Sequence, residues 1–399
     1  MLNCWNLEGF SCNMAGIVVH KRRRKGRSGP TCIDLFSGAG GLAVGFRAAG
    51  WSIVAANDLD PDAAETFRLN FPETTFFEGP ISKLTAKALL SHCKLRRGQL
   101  DCLIGGPPCQ SFSYNNHQRS ANDVRAKLFR SYLKLVTGLK PKMLVMENVP
   151  GILTVGDNAV IDEISNKLKK LGYDVSVEIL NASDFGTPQS RRRVFVVASR
   201  IGLAEEILPS RPSKTVTVGE AIGDLPRLKS GGGRQVSSAP KKVPANKFQK
   251  AMRRGSKKLY NHICHDLGAV MLKRIKHVPE GGNWRDIPRR LLTDGMRRAR
   301  KSDHTKRYGR LARSGLASTL LTKCDPHWGA YVHPTQNRTI SVREAARLQG
   351  FPDVFRFAGQ GSTKQYVQVG NAVPVPLARA LARKASKHLK RRKRAKTAR

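Results

Sequence analysis

Short apolar segments alternate with helical segments along the first half of the chain. The first apolar segment, residues 32–36, predicts a buried strand, and a turn of small residues and a helix that ends at Gly50 follow it. Further strands are predicted, with helical segments between them, at residues 52–56, 100–104, 143–146, 174–180 and 193–198. Because strands joined through helices pair in parallel, the sequence predicts an α/β fold with a doubly wound, mostly parallel sheet.

Two helix starts carry capping signals. Asp60 precedes Pro61, which predicts an N-cap followed by proline at the first helical position. Ser341 and Glu344 have the spacing of a capping box. Residues 365–382 predict a further strand–turn–helix unit.

The chain is strongly basic. It holds 71 Lys and Arg against 29 Asp and Glu, which gives a formal net charge of +42. A basic tail could serve solubility alone, but Lys and Arg are also dense over residues 241–313. Such an excess repels itself unless a polyanion neutralises it, so we predict a nucleic acid partner.

Composition also bears on the compartment and on metal binding. No apolar stretch approaches the roughly 18 residues that span a membrane, and no secretory signal is evident, so we expect a cytoplasmic protein without a membrane partner. The 8 cysteines include no C-x-x-C pair, which disfavours disulfides or a zinc ribbon. His262, Cys264 and His265 lack a second ligand pair, so no metal site is predicted.

A glycine-rich turn joins the first predicted strand to its helix. The segment Asp34-Leu-Phe-Ser-Gly-Ala-Gly-Gly41 permits close backbone approach, and the helix N-terminus favours an electronegative ligand group. Asp58 ends the next strand about 20 residues later, where it could bind ribose hydroxyls. Together they indicate a nucleoside cofactor, although Asp58 could also be a solvated cap. The G-x-G-x-x-G spacing of dinucleotide oxidoreductases is absent.

A stiff loop, Gly105-Gly-Pro-Pro-Cys109, follows the predicted strand at residues 100–104. Its two prolines fix φ and remove two backbone donors. Open α/β sheets bind ligands at the carboxyl ends of their strands, so the loop presents Cys109 at such an edge. With a neighbour that favours its thiolate, Cys109 could be a nucleophile. From the loop alone, a small buried hydrophobe is an equal alternative.

An acid and two arginines follow along the chain. Glu147 comes directly after a predicted strand and is expected at the same crevice, where it could share a proton with a substrate nitrogen. Gln189, Arg191 and Arg193 alternate, which predicts one strand face suited to a carbonyl or phosphate. A salt-bridged glutamate and a charged sheet edge are the competing interpretations.

Six motifs resemble, in order, those of the cytosine-C5 DNA methyltransferases of the prokaryotic type. They are Phe36-Ser-Gly-Ala-Gly-Gly, Pro107-Pro108-Cys109-Gln110, Glu147-Asn148-Val149, Gln189-x-Arg191-x-Arg193, Arg343-Glu-Ala-Ala-Arg-Leu-Gln-Gly-Phe-Pro352 and Gly370-Asn371-Ala-Val373. The resemblance covers residues 31–383, and six motifs in family order are far more specific than any one of them.

The resemblance implies a Rossmann-like methyltransferase fold, S-adenosyl-L-methionine as methyl donor and S-adenosyl-L-homocysteine as product. The expected cofactor-binding residues are Phe36, Gly38, Gly40, Gly41, Asp58, Ile81, Gly106, Pro108, Asn371 and Val373. The target cytosine is expected to be flipped out of the duplex, because its C6 atom cannot be reached in the stack.

The resemblance also implies catalytic roles. Cys109 adds to C6, Glu147 hydrogen-bonds N3, and C5 takes the methyl group before loss of its proton and β-elimination release the cysteine. Arg193 is expected at the O2 side of the base, and Arg191 is expected to order the site. The residues expected to position the substrate are Gln110, Ser111, Asn148 and Gln189.

Two positions depart from the family pattern. Pro80 stands where the family usually has an acid that meets the adenine amino group, so the adenine contact is expected to rely on Ile81 and the backbone. Leu59 stands where the family often has an aromatic ring. We expect weaker cofactor binding at most.

The resemblance gives the five predicted segments their roles. They are a basic, disordered leader (1–30), a catalytic and cofactor-binding domain (31–205), a smaller target-recognition domain and hinge (206–362), a segment returning to the catalytic domain (363–385) and a basic tail (386–399). Within them, residues 247–313 are expected to read DNA sequence.

The expected partner is double-stranded DNA, bound by a monomer. A companion restriction endonuclease would act without a stable complex. The alternatives are a tRNA cytosine-C5 methyltransferase of the same fold and a catalytically silent DNA-binding protein.

Overall fold

The computed structural model describes residues 10–13, 17–20, 29–108, 128–154, 158–210, 215–300 and 302–397. The described residues form two compact units. The first unit takes in the described parts of Met1–Asn181, Arg192–Arg211 and Leu377–Arg399, and the second takes in those of Ala182–Arg191 and Pro212–Pro376.

The first unit is built on a nine-stranded sheet. Its strands are β1 (Phe10–Asn13), β2 (Ile17–His20), β3 (Thr31–Leu35), β4 (Ser52–Asp58), β5 (Thr75–Glu78), β6 (Cys102–Gly105), β7 (Met143–Asn148), β8 (Asp174–Asn181) and β9 (Arg192–Ser199). They lie in the order β1-β2-β5-β4-β3-β6-β7-β9-β8. The five central strands are parallel, and antiparallel pairs lie at both edges. The predicted α/β fold with a mostly parallel sheet is confirmed.

Helices cover this sheet. Those of the first unit are α1 (Gly41–Ala48), α2 (Pro61–Asn70), α3 (Ala86–Cys93), α4 (Leu128–Leu139), α5 (Ala159–Lys170) and α12 (Val375–Thr397). The predicted cap of α2 is confirmed, because the Asp60 carboxylate accepts from the backbone N–H groups of Asp62 and Ala63. All five residues of β3 are buried, as expected where helices cover both faces of a parallel sheet. No described helix is long and apolar enough to span a membrane.

The N-terminal segment corrects one expectation. Residues 10–13 and 17–20 were expected in a disordered leader, but they form β1 and β2. Ile17 and Val19 are buried, and β2 pairs antiparallel with β5, which supplies the hydrogen bonds that stabilise so short a strand. An isolated four-residue apolar run gives no sequence signal for this pairing.

The second unit has little sheet. Its elements are α6 (Val218–Ile222), β10 (Gly233–Ser238), α7 (Lys247–Arg253), β11 (Lys258–Ile263), α8 (Ala269–Ile275), α9 (Asp294–Arg298), α10 (Val342–Leu348) and α11 (Gly361–Asn371), with β10 and β11 antiparallel. The predicted capping box of α10 is confirmed, since Ser341 Oγ accepts from the Glu344 N–H and the Glu344 carboxylate accepts from the Ser341 N–H.

A buried ion pair stabilises the start of α10. The guanidinium of Arg338 donates to both carboxylate oxygens of Glu344, at 2.7 and 2.8 Å. Burial alone would raise the pKa of Glu344, but this pairing, with help from nearby histidines, brings it well below its usual range. Removing either partner would leave an uncompensated buried charge.

The C-terminal region differs from the prediction in two ways. Residues 365–382 were predicted as strand, turn and helix, but α11 is helical through Asn371. The alternation Tyr366-Val-Gln-Val369 resembles a strand, whereas the buried residues of α11 have helical spacing. Residues 363–376 lie in the second unit, and the chain rejoins the first unit at Leu377.

The described part of the basic tail is helical. Helix α12 continues to Thr397, and the side chains of His388 and Leu389 are buried. His388 is held by Ser199 Oγ at 2.9 Å and by the carboxylate of Glu206 at 2.6 Å. Lys and Arg dominate this segment, so its few apolar residues gave no pattern that would predict a buried helix face.

Candidate active site

The ion pair of Glu147 and Arg193 lies at the carboxyl end of β7. Arg193 Nε donates to Glu147 Oε1 at 2.8 Å, and each side chain is only about an eighth exposed, at 12% and 13%. The antiparallel pairing of β7 with β9 brings the two residues together. Burial lowers the pKa of Arg193, and the Glu147 carboxylate opposes that shift. Two opposite charges are therefore held at the sheet edge where open α/β folds bind ligands.

The end of β6 lies against the same carboxylate. A Cβ atom on Gly106 would lie 3.0 Å from Glu147 Oε2, so the glycine leaves room for this side chain. Asn148 is buried, and its Nδ2 donates to the carbonyl of Pro107 at 3.2 Å. This hydrogen bond holds the backbone at Pro107, directly before Pro108.

Cys109, Gln110 and Ser111 lie outside the described residues. Of the loop that the sequence analysis identified, the structure describes Gly105 to Pro108. Gly105 is required there, because a Cβ atom would lie 2.6 Å from the carbonyl oxygen of Leu35.

A tight turn follows β3 and is organised by Asp58 from the end of β4. One Asp58 oxygen accepts from the Gly38 N–H at 2.7 Å, and the other accepts from the Asp60 N–H at 2.9 Å. Burial raises the pKa of Asp58, and these backbone donors oppose the shift. Phe36, Gly38 and Gly40 all have positive φ. The predicted turn and acid thus form one connected element.

Open space lies next to this turn. A Cβ atom on Gly38 would meet nothing within 4 Å. Gly40, the N-cap of α1, has no side chain that could bond the first turn of the helix. Uncapped N–H groups at a helix N-terminus suit an electronegative ligand group.

The loop after β5 is held by a residue that the sequence analysis missed. Asn57 is buried, and its Nδ2 donates to the carbonyls of Phe77 and Gly79. An asparagine directly after the apolar run Ile53–Ala56 was the available signal. The loop continues into Pro80 and Ile81, and Ile81 is buried while Leu59 is 67% exposed.

Gln189 and Arg191 belong to the second unit and are buried there. The Arg191 guanidinium donates to the carbonyls of Leu320 and Gly370, at 2.8 and 2.7 Å. Gln189 accepts from the Leu320 N–H. The expectation that both share a strand face with Arg193 is wrong, because β9 begins at Arg192. These contacts favour an ordering role for Arg191 over contact with substrate.

The last motif also lies in the second unit. Asn371 is the final residue of α11 and is exposed, whereas Val373 is buried. Gly370 has no room for a side chain, because a Cβ atom would lie 2.3 Å from the Leu321 carbonyl oxygen.

The three candidate metal ligands have other contacts. His262 is bonded through Nδ1 to Ser341 Oγ and through Nε2 to the Pro226 carbonyl, both at 2.9 Å. The Cys264 thiol donates to backbone carbonyls, and the His265 ring packs edge-on against Tyr366. These contacts give all three residues a structural role.

Comparison with known proteins gives one consistent result. The sequence matches the C-5 cytosine-specific DNA methylase family over residues 30–387. It is 35% identical over 376 residues to the type II methyltransferase M.DdeI of Desulfomicrobium norvegicum, covering 89% of this chain and 88% of the relative. The type II methyltransferase M1.HphI of Haemophilus parahaemolyticus is also 35% identical, over 88% of this chain and 85% of the relative.

A solved structure agrees. The crystal structure described as a DNA modification methyltransferase encoded within an E. coli prophage is 26% identical. It superposes with a TM-score of 0.73 and covers 90% of this chain and 99% of that one.

Proposed function

The chain belongs to the C-5 cytosine-specific DNA methylases and is a site-specific DNA (cytosine-5-)-methyltransferase, and from that premise we propose how its residues carry the reaction. The observation that most supports the proposal is the shielded pair of Glu147 and Arg193, 2.8 Å apart at the carboxyl edge of the sheet. A flipped cytosine presents N3 and O2 side by side, and this pair offers one group for each.

Cys109 is the nucleophile in this proposal. Its thiolate forms a bond to C6 of the cytosine, and the π electron pair of the C5=C6 double bond moves toward C5 and N3. Glu147 carries a proton in this step and shares it with N3, where negative charge builds up, and Arg193 donates to O2. C5 would then take the methyl group as the S–CH3 bond of the donor breaks, with its electron pair remaining on the sulfur. Loss of the C5 proton to a base and elimination of the Cys109 thiolate restore the aromatic ring.

Methyl transfer requires a donor, and the first unit has features that fit S-adenosyl-L-methionine. When bound, this cofactor supplies an electrophilic methyl group, and S-adenosyl-L-homocysteine is the product. The open space at Gly38 and the uncapped N-terminus of α1 suit the amino acid part, and Asp58 suits the ribose hydroxyls. The other residues proposed to hold it are Phe36, Gly40, Gly41, Ile81, Gly106, Pro108, Asn371 and Val373.

The adenine contact is proposed to be weaker than is usual in the family. Pro80 offers no side-chain acceptor for the amino group, and Leu59 offers no aromatic ring. Ile81 provides an apolar surface instead. A raised KM for the cofactor, with catalysis intact, is the expected consequence.

Double-stranded DNA is the proposed substrate of a monomer acting at the nucleoid in the cytoplasm. The net charge of +42 favours a polyanion, and Lys and Arg are dense in the second unit. We assign sequence reading to residues 247–313, and substrate positioning to Gln110, Ser111, Asn148 and Gln189. We also propose a companion restriction endonuclease that acts without a stable complex with this enzyme.

Labelled S-adenosyl-L-methionine tests the proposal directly. The purified protein should transfer label to duplex DNA and not to transfer RNA. Bisulfite sequencing of DNA from cells that express it should then show one methylated sequence. Transfer to tRNA alone, or no covalent adduct with target duplexes that contain 5-fluorocytosine, would contradict it.

A further inference from the structure

Trp328 is an exposed tryptophan in the second unit. Half of its surface, 51%, is accessible, whereas Trp51 and Trp284 are buried. Its backbone lies in a turn closed by Asp325, whose carboxylate accepts from the His327 N–H at 2.8 Å and whose carbonyl accepts from the Trp328 N–H at 2.9 Å. Its exposure is therefore fixed by an ordered turn.

The base of this turn is anchored inside the second unit. Cys324 is buried, and the carbonyl of Pro326 accepts from the Tyr308 N–H at 2.6 Å. Gly329 leaves room for the ring of Tyr331, since a Cβ atom would lie 2.7 Å from that ring. An aromatic side chain that is both exposed and held in place loses little conformational entropy when it binds a partner.

Two cations lie over the exposed ring. Lys323 Nζ is 5.3 Å and Arg307 Cζ is 5.9 Å from the centroid of Trp328, and the His327 ring packs edge-on against it. We call Arg307, Lys323, His327 and Trp328 the aromatic patch.

Other charged groups also face the patch. Arg274 and His304 act electrostatically on His327, and Asp325 is the opposing carboxylate. Positive charge therefore predominates around the ring, which favours an anionic partner.

A flat ring beside two cations matches the two surfaces that a nucleotide offers, a base face and a phosphate. Stacking of bases on aromatic side chains next to basic groups is the usual way to hold unstacked nucleotides. Each nucleotide of a nucleic acid offers both surfaces together.

We propose that the aromatic patch binds an unstacked nucleotide of the DNA substrate, with Trp328 stacked on the base and Arg307 and Lys323 contacting the adjacent phosphates. The inference rests on the proposed function, because it names DNA as the polyanion. It adds a substrate-positioning residue, Trp328, to those assigned above.

Intrinsic fluorescence and binding test the stacking. A duplex that carries the target sequence should quench the emission of the wild-type enzyme, and Trp328→Phe should lose that quenching. Trp328→Ala should raise the Kd for the duplex about tenfold, and Trp328→Phe should raise it less, because the smaller ring still stacks. Leu203→Ala, at an apolar residue of the first unit that is 51% exposed like Trp328, is the control and should bind like the wild type.

Salt dependence tests the cations separately. Arg307→Ala and Lys323→Ala should each reduce the slope of log K against log salt by about one. Thermal unfolding of every variant establishes that it is folded.

The outcomes separate this inference from the proposed function. Undiminished quenching in Trp328→Phe, or a Kd of Trp328→Ala within twofold of the wild type, would overturn the role of the aromatic patch. Quenching by RNA but not by DNA would also overturn it. Failure of the wild-type enzyme to methylate any DNA would instead overturn the proposed function.

Discussion

Gly106 lies so close to Glu147 that a Cβ atom at this glycine would be 3.0 Å from Oε2 of the glutamate. The carboxylate would have to shift by a few tenths of an ångström to admit a methyl group. Gly106→Ala should therefore lower the single-turnover rate of methyl transfer about tenfold, because small misplacements of catalytic groups are costly. Gly315→Ala is the control, since a Cβ atom there would make only ordinary van der Waals contact, 3.5 Å from the Cβ of Ala312.

The amide variant of Glu147 tests its proton role. Glu147→Gln keeps the shape of the side chain but removes the charge that pairs with Arg193 and the acidic proton that is shared with N3. We expect the single-turnover rate to fall by about 10²-fold or more. Glu178→Gln, at an exposed glutamate of β8, should keep the wild-type rate. An unchanged rate in Glu147→Gln would exclude the proposed role.

A serine substitution tests the proposed role of Cys109 as the nucleophile. Cys109→Ser should abolish turnover and leave DNA binding within a few-fold of the wild type, because the thiol adds little affinity in the ground state. Gel-shift binding and labelled methyl transfer, measured on the same preparation, provide the two readouts. Turnover comparable to that of the wild type would contradict the nucleophile assignment.

Asp58→Asn should weaken binding of S-adenosyl-L-methionine about tenfold or more, because hydrogen bonds to a charged group are lost and an amide N–H would face the Gly38 donor. Isothermal calorimetry of the free enzyme measures this Kd without turnover. Glu65→Gln, on the exposed side of α2, should not change it. Equal affinity in Asp58→Asn and the wild type would remove Asp58 from the cofactor site.

Stability should decrease in mild acid through His333. Burial, reinforced by nearby arginines, lowers the pKa of His333 to about 4, although Glu344 opposes the shift. The unfolded chain therefore takes up a proton first as the pH falls, and stability that is full above pH ~6.5 is lost toward the folded pKa. The loss between pH ~6.5 and ~4.5 should be about 2 kcal/mol for this residue.

Urea unfolding at these two pH values checks the prediction. His333→Gln should show a smaller loss than the wild type, because other histidines contribute equally to both proteins. The carboxylate of Glu344, whose pKa is low, should contribute only at more acidic pH. Identical losses in the two proteins would contradict the assignment.

Local signals in the sequence were enough to predict much of the first unit. The cap at Asp60, the strand before Glu147 and the connection of Asp58 to the glycine turn depend on neighbours within about 20 residues or on the ends of parallel strands. The ion pair of Glu147 with Arg193 was harder to predict, because it depends on the antiparallel position of β9. Strand order of that kind leaves no local pattern.

The second unit was harder to predict for a physical reason. Its interior uses arginines as structural groups: Arg191 and Arg338 are buried and bonded to backbone carbonyls or carboxylates. A pattern of hydrophobic periodicity cannot detect a core of this type. The same polar residues in sequence suggested a solvated or ligand-binding surface.

Helix α12 determines when the first unit can fold during translation. Its Ala382 carbonyl accepts from the Trp51 indole at 3.0 Å, and Gly45 of α1 is required because Ala378 lies against it. Residues at opposite ends of the chain thus complete one compact unit. Helix α12 must therefore emerge from the ribosome before this unit can close, so nascent chains that lack it should be inactive and sensitive to protease.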